Sequence, residues 1–93
     1  MVTAITLMNV ERDKINSVAE RLAELQGVSE VYSIGGRYDL IAIIRVKHTD
    51  ELAEVVTEHI RKLEGIQKTE TMLAFRAYSR HALDEMFSIG MEE

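Results

Sequence analysis

Apolar and β-branched residues dominate four short segments of the chain, and segments of this kind predict β-strands. They cover residues 2–10, 28–34, 40–46 and 66 to about 78. The third segment, LIAIIRV, is the most hydrophobic run in the sequence. Gly35 and Gly36 separate the second segment from the third and predict a turn, so we expect these two strands to form a hairpin.

Two stretches separate the hairpin from the first and from the last strand segment of the sequence. Apolar residues recur at three- and four-residue steps in both, which predicts one amphipathic helix in each stretch. The first helix is expected over about residues 14–26, with Asp13 as its N-cap and Gly27 after its last turn. The second is expected to begin at Thr49 or Asp50, since either residue is a suitable N-cap.

The end of the chain predicts a short C-terminal helix and tail over residues 79–93. Ser79 is a suitable N-cap, and the apolar residues Leu83, Met86 and Phe87 would share one side of the helix. This tail is expected to pack against its own or a neighbouring subunit. Because 93 residues have the size of one domain, we predict a single domain at residues 1–78 followed by the tail.

The two halves of the chain match each other when one is shifted by 38 positions. The matched pairs are Leu22 with Ile60, Leu25 with Leu63, Gly27 with Gly65 and Val28 with Ile66. The element order is therefore β-α-β-β-α-β, which is two right-handed β-α-β units. We predict the α+β class and a ferredoxin-like plait, in which a four-stranded antiparallel sheet carries both helices on one face.

Strands of such a sheet should alternate apolar and polar residues, because one face meets water. Residues 40–44 are instead consecutively apolar, and the first and last strands also carry apolar residues at neighbouring positions. The second face is therefore expected to be covered, and no further long element exists in the sequence to cover it. A homodimer joined sheet to sheet is the favoured prediction, and a monomer with an exposed apolar surface is the alternative.

Composition excludes several classes of function. The formal charge of -5 and a pI near 5.2 argue against direct binding of nucleic acid, which needs clustered positive charge. Cysteine is absent, and His48, His59 and His81 are too widely separated for a metal site. No signal peptide or apolar run of membrane-spanning length occurs. We therefore expect a cytoplasmic protein with no metal and no cofactor.

Three motifs follow one another between residues 31 and 75. Gly36, Tyr38 and Asp39 form a Gly-x-aromatic-Asp motif, Leu63, Gly65 and Ile66 stand at the exit of a helix, and Thr69 and Thr71 form a Thr-x-Thr motif. In this order and spacing they resemble the ligand-binding half, or RAM domain, of the Lrp/AsnC transcriptional regulators. Glu64 stands where relatives usually carry proline, and this departure affects only the helix exit.

The resemblance implies an amino-acid-binding and oligomerisation module without catalytic residues. In that family, dimers assemble further into rings, for example octamers of four dimers, and a free amino acid or related effector binds between dimers. Complete members also begin with a helix-turn-helix DNA-binding domain, and this sequence has none, so it resembles a stand-alone RAM domain. Such a domain would modulate transcription by co-assembly with full-length regulators.

The loop Gly35, Gly36, Arg37, Tyr38 and Asp39 is the best candidate for the ligand site. Glycine amides suit a carboxylate, and Asp39 suits an ammonium group, so one loop offers both charges of an amino acid. The glycines could instead only close the hairpin, with Asp39 accepting turn amides. Arg37 could bind the ligand carboxylate or remain in solvent, and Tyr38 could contact the effector or fill the dimer interface.

Thr69 and Thr71 complete the candidate site. They are two residues apart in a strand, so their hydroxyls lie on one sheet face and could hydrogen-bond one ligand together. Their presence could equally reflect the preference of threonine for strands.

Two other classes of function share this topology. Small dimeric enzymes of the monooxygenase or isomerase type are the first alternative, since a fold does not determine a function. They usually place His, Asn or Trp in a pocket within each protomer, whereas this chain has no Trp. A regulatory ACT-like domain is the second alternative, although such a domain normally joins an enzyme.

Overall fold

The computed structural model describes residues 1–78 and Arg80; the rest of the predicted tail lies outside the described residues. Strand β1 is Val2–Val10, and a 3-10 turn at Arg12–Lys14 leads into α1, Ile15–Glu24. Strands β2, Val28–Ser33, and β3, Leu40–Val46, form the hairpin. Helix α2, Thr49–Glu54, continues as a π-helical segment, Val55–Ile60, and β4 is Ile66–Ala74.

The four strands form one antiparallel sheet in the order β2-β3-β1-β4. Strand β1 therefore lies between β3 and β4 and is antiparallel to both. Thr6 of β1 faces Ala42 on β3 and Thr71 on β4. Side chains from both helices join one buried cluster with alternate residues of β1 and β3. Both helices therefore lie on the same face, which confirms the predicted α+β plait.

The internal duplication is visible in the core. Leu22 on α1 and Ile60 at the end of the π-helical segment are both completely buried. Gly27 and Gly65 both have positive φ angles, of 96° and 105°, at the points where the two helical segments turn into the next strand. The 38-residue shift in the sequence therefore reflects two repeats of the same helix-to-strand turn.

Several predicted ends differ from the structure. Asp13 lies in the 3-10 turn and does not cap α1, and His48 rather than Thr49 or Asp50 precedes α2. Strand β2 ends one residue earlier than predicted, at Ser33. Strand β4 ends at Ala74 rather than near residue 78, because Ala74 already pairs with Thr3 and the neighbouring strand begins at Val2.

The face of the sheet opposite the helices, called here the open face, is apolar at its centre. Registers place Ile5 and Leu7 of β1 beside Ile43 and Ile41 of β3 on this face, and all four are partly accessible. Met72 on β4 and Tyr32 on β2 extend the patch and are 45% and 49% exposed. Both described helices pack on the other face, so the part of the chain that the structure describes leaves this centre uncovered.

Candidate functional site

The loop between β2 and β3, residues 34–39, crosses the end of β1. Its two ends are joined by the Ile34 amide, which donates to the Asp39 carbonyl at 2.9 Å, and the Asp39 amide donates to the Met8 carbonyl at 2.8 Å. The Asn9 side-chain amide donates to the Arg37 carbonyl at 2.7 Å. The loop backbone is therefore tied both to itself and to the first strand.

Asp39 is part of this anchoring. The pairing of β1 with β4 shifts by one residue between Asn9 and Val10. At the shift, the Val10 amide donates to Asp39 Oδ2 at 2.9 Å. The sequence suggested either an ammonium partner or an acceptor of turn amides for Asp39, and in the structure Oδ2 of its carboxylate accepts the amide of a neighbouring strand.

The two glycines of the loop differ. Gly36 has φ +113°, which is strained for any residue with a Cβ atom, whereas Gly35 does not have a positive φ. A Cβ atom at either position would meet no atom within 4 Å. The backbone is therefore open on this side of the loop, and Arg37 beside it is also exposed.

Tyr38 extends from the loop to β4. Its hydroxyl donates to Glu70 Oε2 at 2.5 Å, and Lys68 Nζ lies 5.9 Å from the centre of its ring. The hydrogen bond with Glu70, followed by partial desolvation, raises the pKa of the Tyr38 phenol above its usual value. Lys68 and Glu70 are therefore neighbours of the predicted site, and the sequence analysis did not identify them. Their position on either side of Thr69, two residues apart, was the one signal in the sequence that they share a face of the strand.

Thr69 and Thr71 lie on the same face of β4 as each other, as expected from their spacing, but this is the helix-bearing face. Thr71 Oγ1 is 3.0 Å from Oγ1 of the buried Thr6, which faces it across the strand pair. Glu70 and Lys68, which contact Tyr38, point to the open face. Tyr38 therefore contacts β4 on the open face, whereas Thr69 and Thr71 lie on the helix-bearing face of the same strand.

A separate open depression of about 530 Å³ lies at the opposite end of β3, far along the strand from the loop. Its floor includes Val46 and Val55, and its rim carries side chains of both charges, Arg45 and Glu54 among them. None of the predicted site residues lines it.

In the described part of the chain, no helix is long and apolar enough to cross a membrane.

Comparison with known proteins supports the family that the sequence motifs indicate. Residues 3–83 match the family model for the Lrp/AsnC ligand binding domain. An uncharacterized HTH-type transcriptional regulator of Pyrococcus furiosus is 32% identical over 76 residues, which are 78% of this chain and 51% of the relative. The chain thus spans about half the length of that relative.

Solved structures share the fold. The protein TTHA0845 of Thermus thermophilus is 49% identical with a TM-score of 0.80, over 86% of this chain and all of that one. The hypothetical protein PHS023 of Pyrococcus horikoshii is 38% identical with a TM-score of 0.77, over 87% of this chain and 98% of the other. By sequence, motif order and architecture, the chain belongs to the Lrp/AsnC ligand-binding domain family.

Proposed function

We propose that this chain binds a free amino acid or a closely related effector and that binding changes how its copies assemble. The observation that carries the proposal is the open loop at Gly35 and Gly36, whose backbone is fixed on β1 by Asn9 and Asp39. A ligand there meets a rigid, accessible backbone. Such a site loses little conformational entropy when it is filled.

Ligand chemistry in the family supports an amino acid. A transcriptional regulator of Neisseria meningitidis, solved as a complex with L-Met, has the same fold with a TM-score of 0.76 at 11% identity. The sequence identity is too low to transfer the contacts of that complex to this chain. The L-Met bound to that regulator nevertheless makes L-methionine a suitable first probe for this chain.

The residues we assign to the site lie on both sides of the β4 edge. Gly35, Gly36, Arg37, Tyr38 and Asp39 form the loop side, with Asp39 maintaining its shape through Val10. Thr69 and Thr71 lie on the helix side of the same strand. Since β4 is an edge strand, a second dimer placed against it would bring both groups to one crevice.

The assembly we propose begins with a homodimer joined through the open face, and the apolar centre of that face supports this arrangement. Dimers then meet at the β4 edges, in rings such as an octamer, where the effector is held. An effector that prefers one assembly stabilises it by its differential affinity, with couplings typically of about 1 to 3 kcal/mol. The residues 79–93 are proposed to pack on their own or a neighbouring subunit.

In this proposal the chain is a binding module in the cytoplasm rather than an enzyme, and it does not contact DNA directly. Its acidic charge of -5 disfavours binding to phosphate backbones. It would act on transcription by co-assembly with full-length Lrp/AsnC regulators, whose DNA-binding parts supply the contact with the operator.

A thermal-shift panel of the twenty amino acids tests the proposal. We expect at least one of them, at millimolar concentration, to raise the melting temperature and to change the sedimentation profile of the protein. A panel in which no amino acid changes either quantity would contradict an amino-acid effector.

A further inference from the structure

The cation and the anion that flank Tyr38 on β4 have no other ionic partner among the described residues. Lys68 and Glu70 are both exposed, and neither forms an ion pair with another described side chain. They are two residues apart on one strand, so their attachment points are roughly 7 Å apart on the open face. Tyr38 contacts both charges, since its hydroxyl bonds Glu70 and Lys68 Nζ lies 5.9 Å from the centre of its ring.

One carboxylate oxygen of Asp39 is committed to the backbone, because Oδ2 accepts the Val10 amide where the strand pairing shifts. Among the described residues, Glu70 is engaged only by the phenol of Tyr38, which is a neutral donor. An ammonium group forms a stronger, charge-assisted bond with a carboxylate than a phenol does. Glu70 can therefore exchange the phenol for an ammonium donor.

We infer that Lys68 and Glu70 read the two charges of the effector: the ammonium group replaces the Tyr38 hydroxyl at Glu70, and the carboxylate pairs with Lys68. This inference rests on the proposed function and assigns two further residues to the same site, where the side chain of the amino acid packs on the Tyr38 ring. Molecules that carry only one of the two charges are bound more weakly, since one charged residue is then unpaired.

The freed Tyr38 hydroxyl gives the exchange a visible consequence. Tyr38 belongs to the loop that is fixed on β1, and Glu70 belongs to the edge strand. While the phenol bonds Glu70, the loop is tied to that edge. Binding of the effector transfers Glu70 from the protein's own loop to the ligand, so occupancy changes the surface that the β4 edge offers to another dimer.

Calorimetry on the full chain tests the inference. The probe is L-methionine, or whichever amino acid stabilises the protein most, together with its decarboxylated and deaminated analogues. We expect the Glu70→Gln and Lys68→Gln variants each to weaken binding of the amino acid by at least about tenfold. Glutamine at position 70 still accepts the Tyr38 hydrogen bond, so the loop keeps its shape.

The analogues separate the two roles. Glu70→Gln should leave the affinity for the deaminated acid unchanged, and Lys68→Gln should leave the affinity for the decarboxylated amine unchanged. Glu58→Gln and Lys62→Gln are matched controls, because this exposed pair on the helix side changes the same charges at a distance from the loop. Both controls should bind the amino acid as the unmodified protein does.

Two results would overturn the inference while leaving an amino-acid effector in place. The first is undiminished binding by Glu70→Gln and Lys68→Gln. The second is a loss of binding in Arg37→Gln but not in Lys68→Gln, which would assign the carboxylate to the loop arginine. If no amino acid binds the unmodified protein, the proposed function itself fails, and the inference fails with it.

Discussion

Gly35 and Gly36 are indistinguishable in the sequence, but the backbone makes different demands on them. Only Gly36 has a positive φ, of 113°, and neither position is crowded. Gly36→Ala should lower the free energy of unfolding by about 1 to 2 kcal/mol, the usual cost of a Cβ atom in this region. Gly35→Ala is the matched control.

Urea denaturation of both variants checks this difference. Gly35→Ala should be neutral or stabilising by up to about 1 kcal/mol, because alanine restricts the unfolded chain without strain in the folded one. Equal destabilisation by the two substitutions would show that the hairpin turn is not the one described.

The bond between Tyr38 and Glu70 predicts an abnormal titration. The carboxylate raises the pKa of the Tyr38 phenol in the folded state. The bond therefore contributes stability at pH values below the usual tyrosine pKa of about 10, and this contribution is lost as the pH rises through the raised value. Glu70→Gln should bring the Tyr38 pKa back toward its usual value.

Ultraviolet difference spectra against pH measure this change. Tyr32 also has a raised pKa, caused by its hydrogen bond to Glu30, and Tyr78 is the third tyrosine of the chain, so the titration is made in a Tyr32→Phe/Tyr78→Phe background. An unchanged phenol titration in Glu70→Gln would show that Tyr38 and Glu70 are not bonded in solution.

The hydroxyls of Thr6 and Thr71 form a hydrogen bond that connects β1 to β4. Thr6 is completely buried, so Thr71→Val would leave a buried hydroxyl without this partner. We expect a cost of about 1 to 3 kcal/mol for that single change. Thr6→Val/Thr71→Val should recover part of the cost, because both partners are then apolar.

A double-mutant cycle from denaturation curves measures this coupling. Additive effects of the two substitutions would contradict a hydroxyl pair. Amino-acid binding by Thr71→Val, measured in parallel, distinguishes a purely structural threonine from one that also contacts the effector.

Within the residues that the structure describes, the spacing of apolar residues predicted the four strands and two helical regions, but not the form of the second helix. There the Arg61 amide donates to the Val56 carbonyl, five residues back, and the buried residues Val55 and Ile60 are also five apart. An apolar pattern at steps of three and four residues does not distinguish this wider turn from an α-helix. The helix region was therefore predictable, while its internal hydrogen bonding was not.

The candidate site shows a similar division. Gly36, Tyr38 and Asp39 stand together in the sequence, so a motif can identify them. The contacts of Tyr38 with Lys68 and Glu70 depend on how the loop crosses β1 and on the one-residue shift between β1 and β4. Neither is encoded by local spacing, because both arise only when the strands are paired.

At the scale of the whole molecule, the decisive feature is the difference between the two sheet faces. The helix face is filled by the chain itself, whereas the open face has Ile5, Leu7, Ile41 and Ile43 at its centre. Charged residues stand toward its edges, with Glu30 and Arg45 paired at 3.3 Å on one side. An apolar centre within a charged border is the usual anatomy of a protein interface.

Ile43→Glu tests whether this face joins two copies. The substitution places a carboxylate at the centre of the apolar patch, where it would be buried without a partner in a dimer. Because an unpaired buried charge costs several kcal/mol, we expect the dissociation constant to rise at least about a hundredfold. Leu73→Glu is the control, since Leu73 is 51% exposed on the helix-bearing face of the edge strand.

Sedimentation at micromolar concentration should show a dimer or larger assembly for the unmodified chain and for Leu73→Glu, and a monomer of 10.6 kDa for Ile43→Glu. Circular dichroism shows whether the Ile43→Glu monomer keeps the secondary structure of the unmodified protein. A monomeric unmodified chain would contradict the open face as an interface. Dissociation by Leu73→Glu but not by Ile43→Glu would instead move the contact to the helix side, and the effector crevice at the β4 edge would then have to be built from that face.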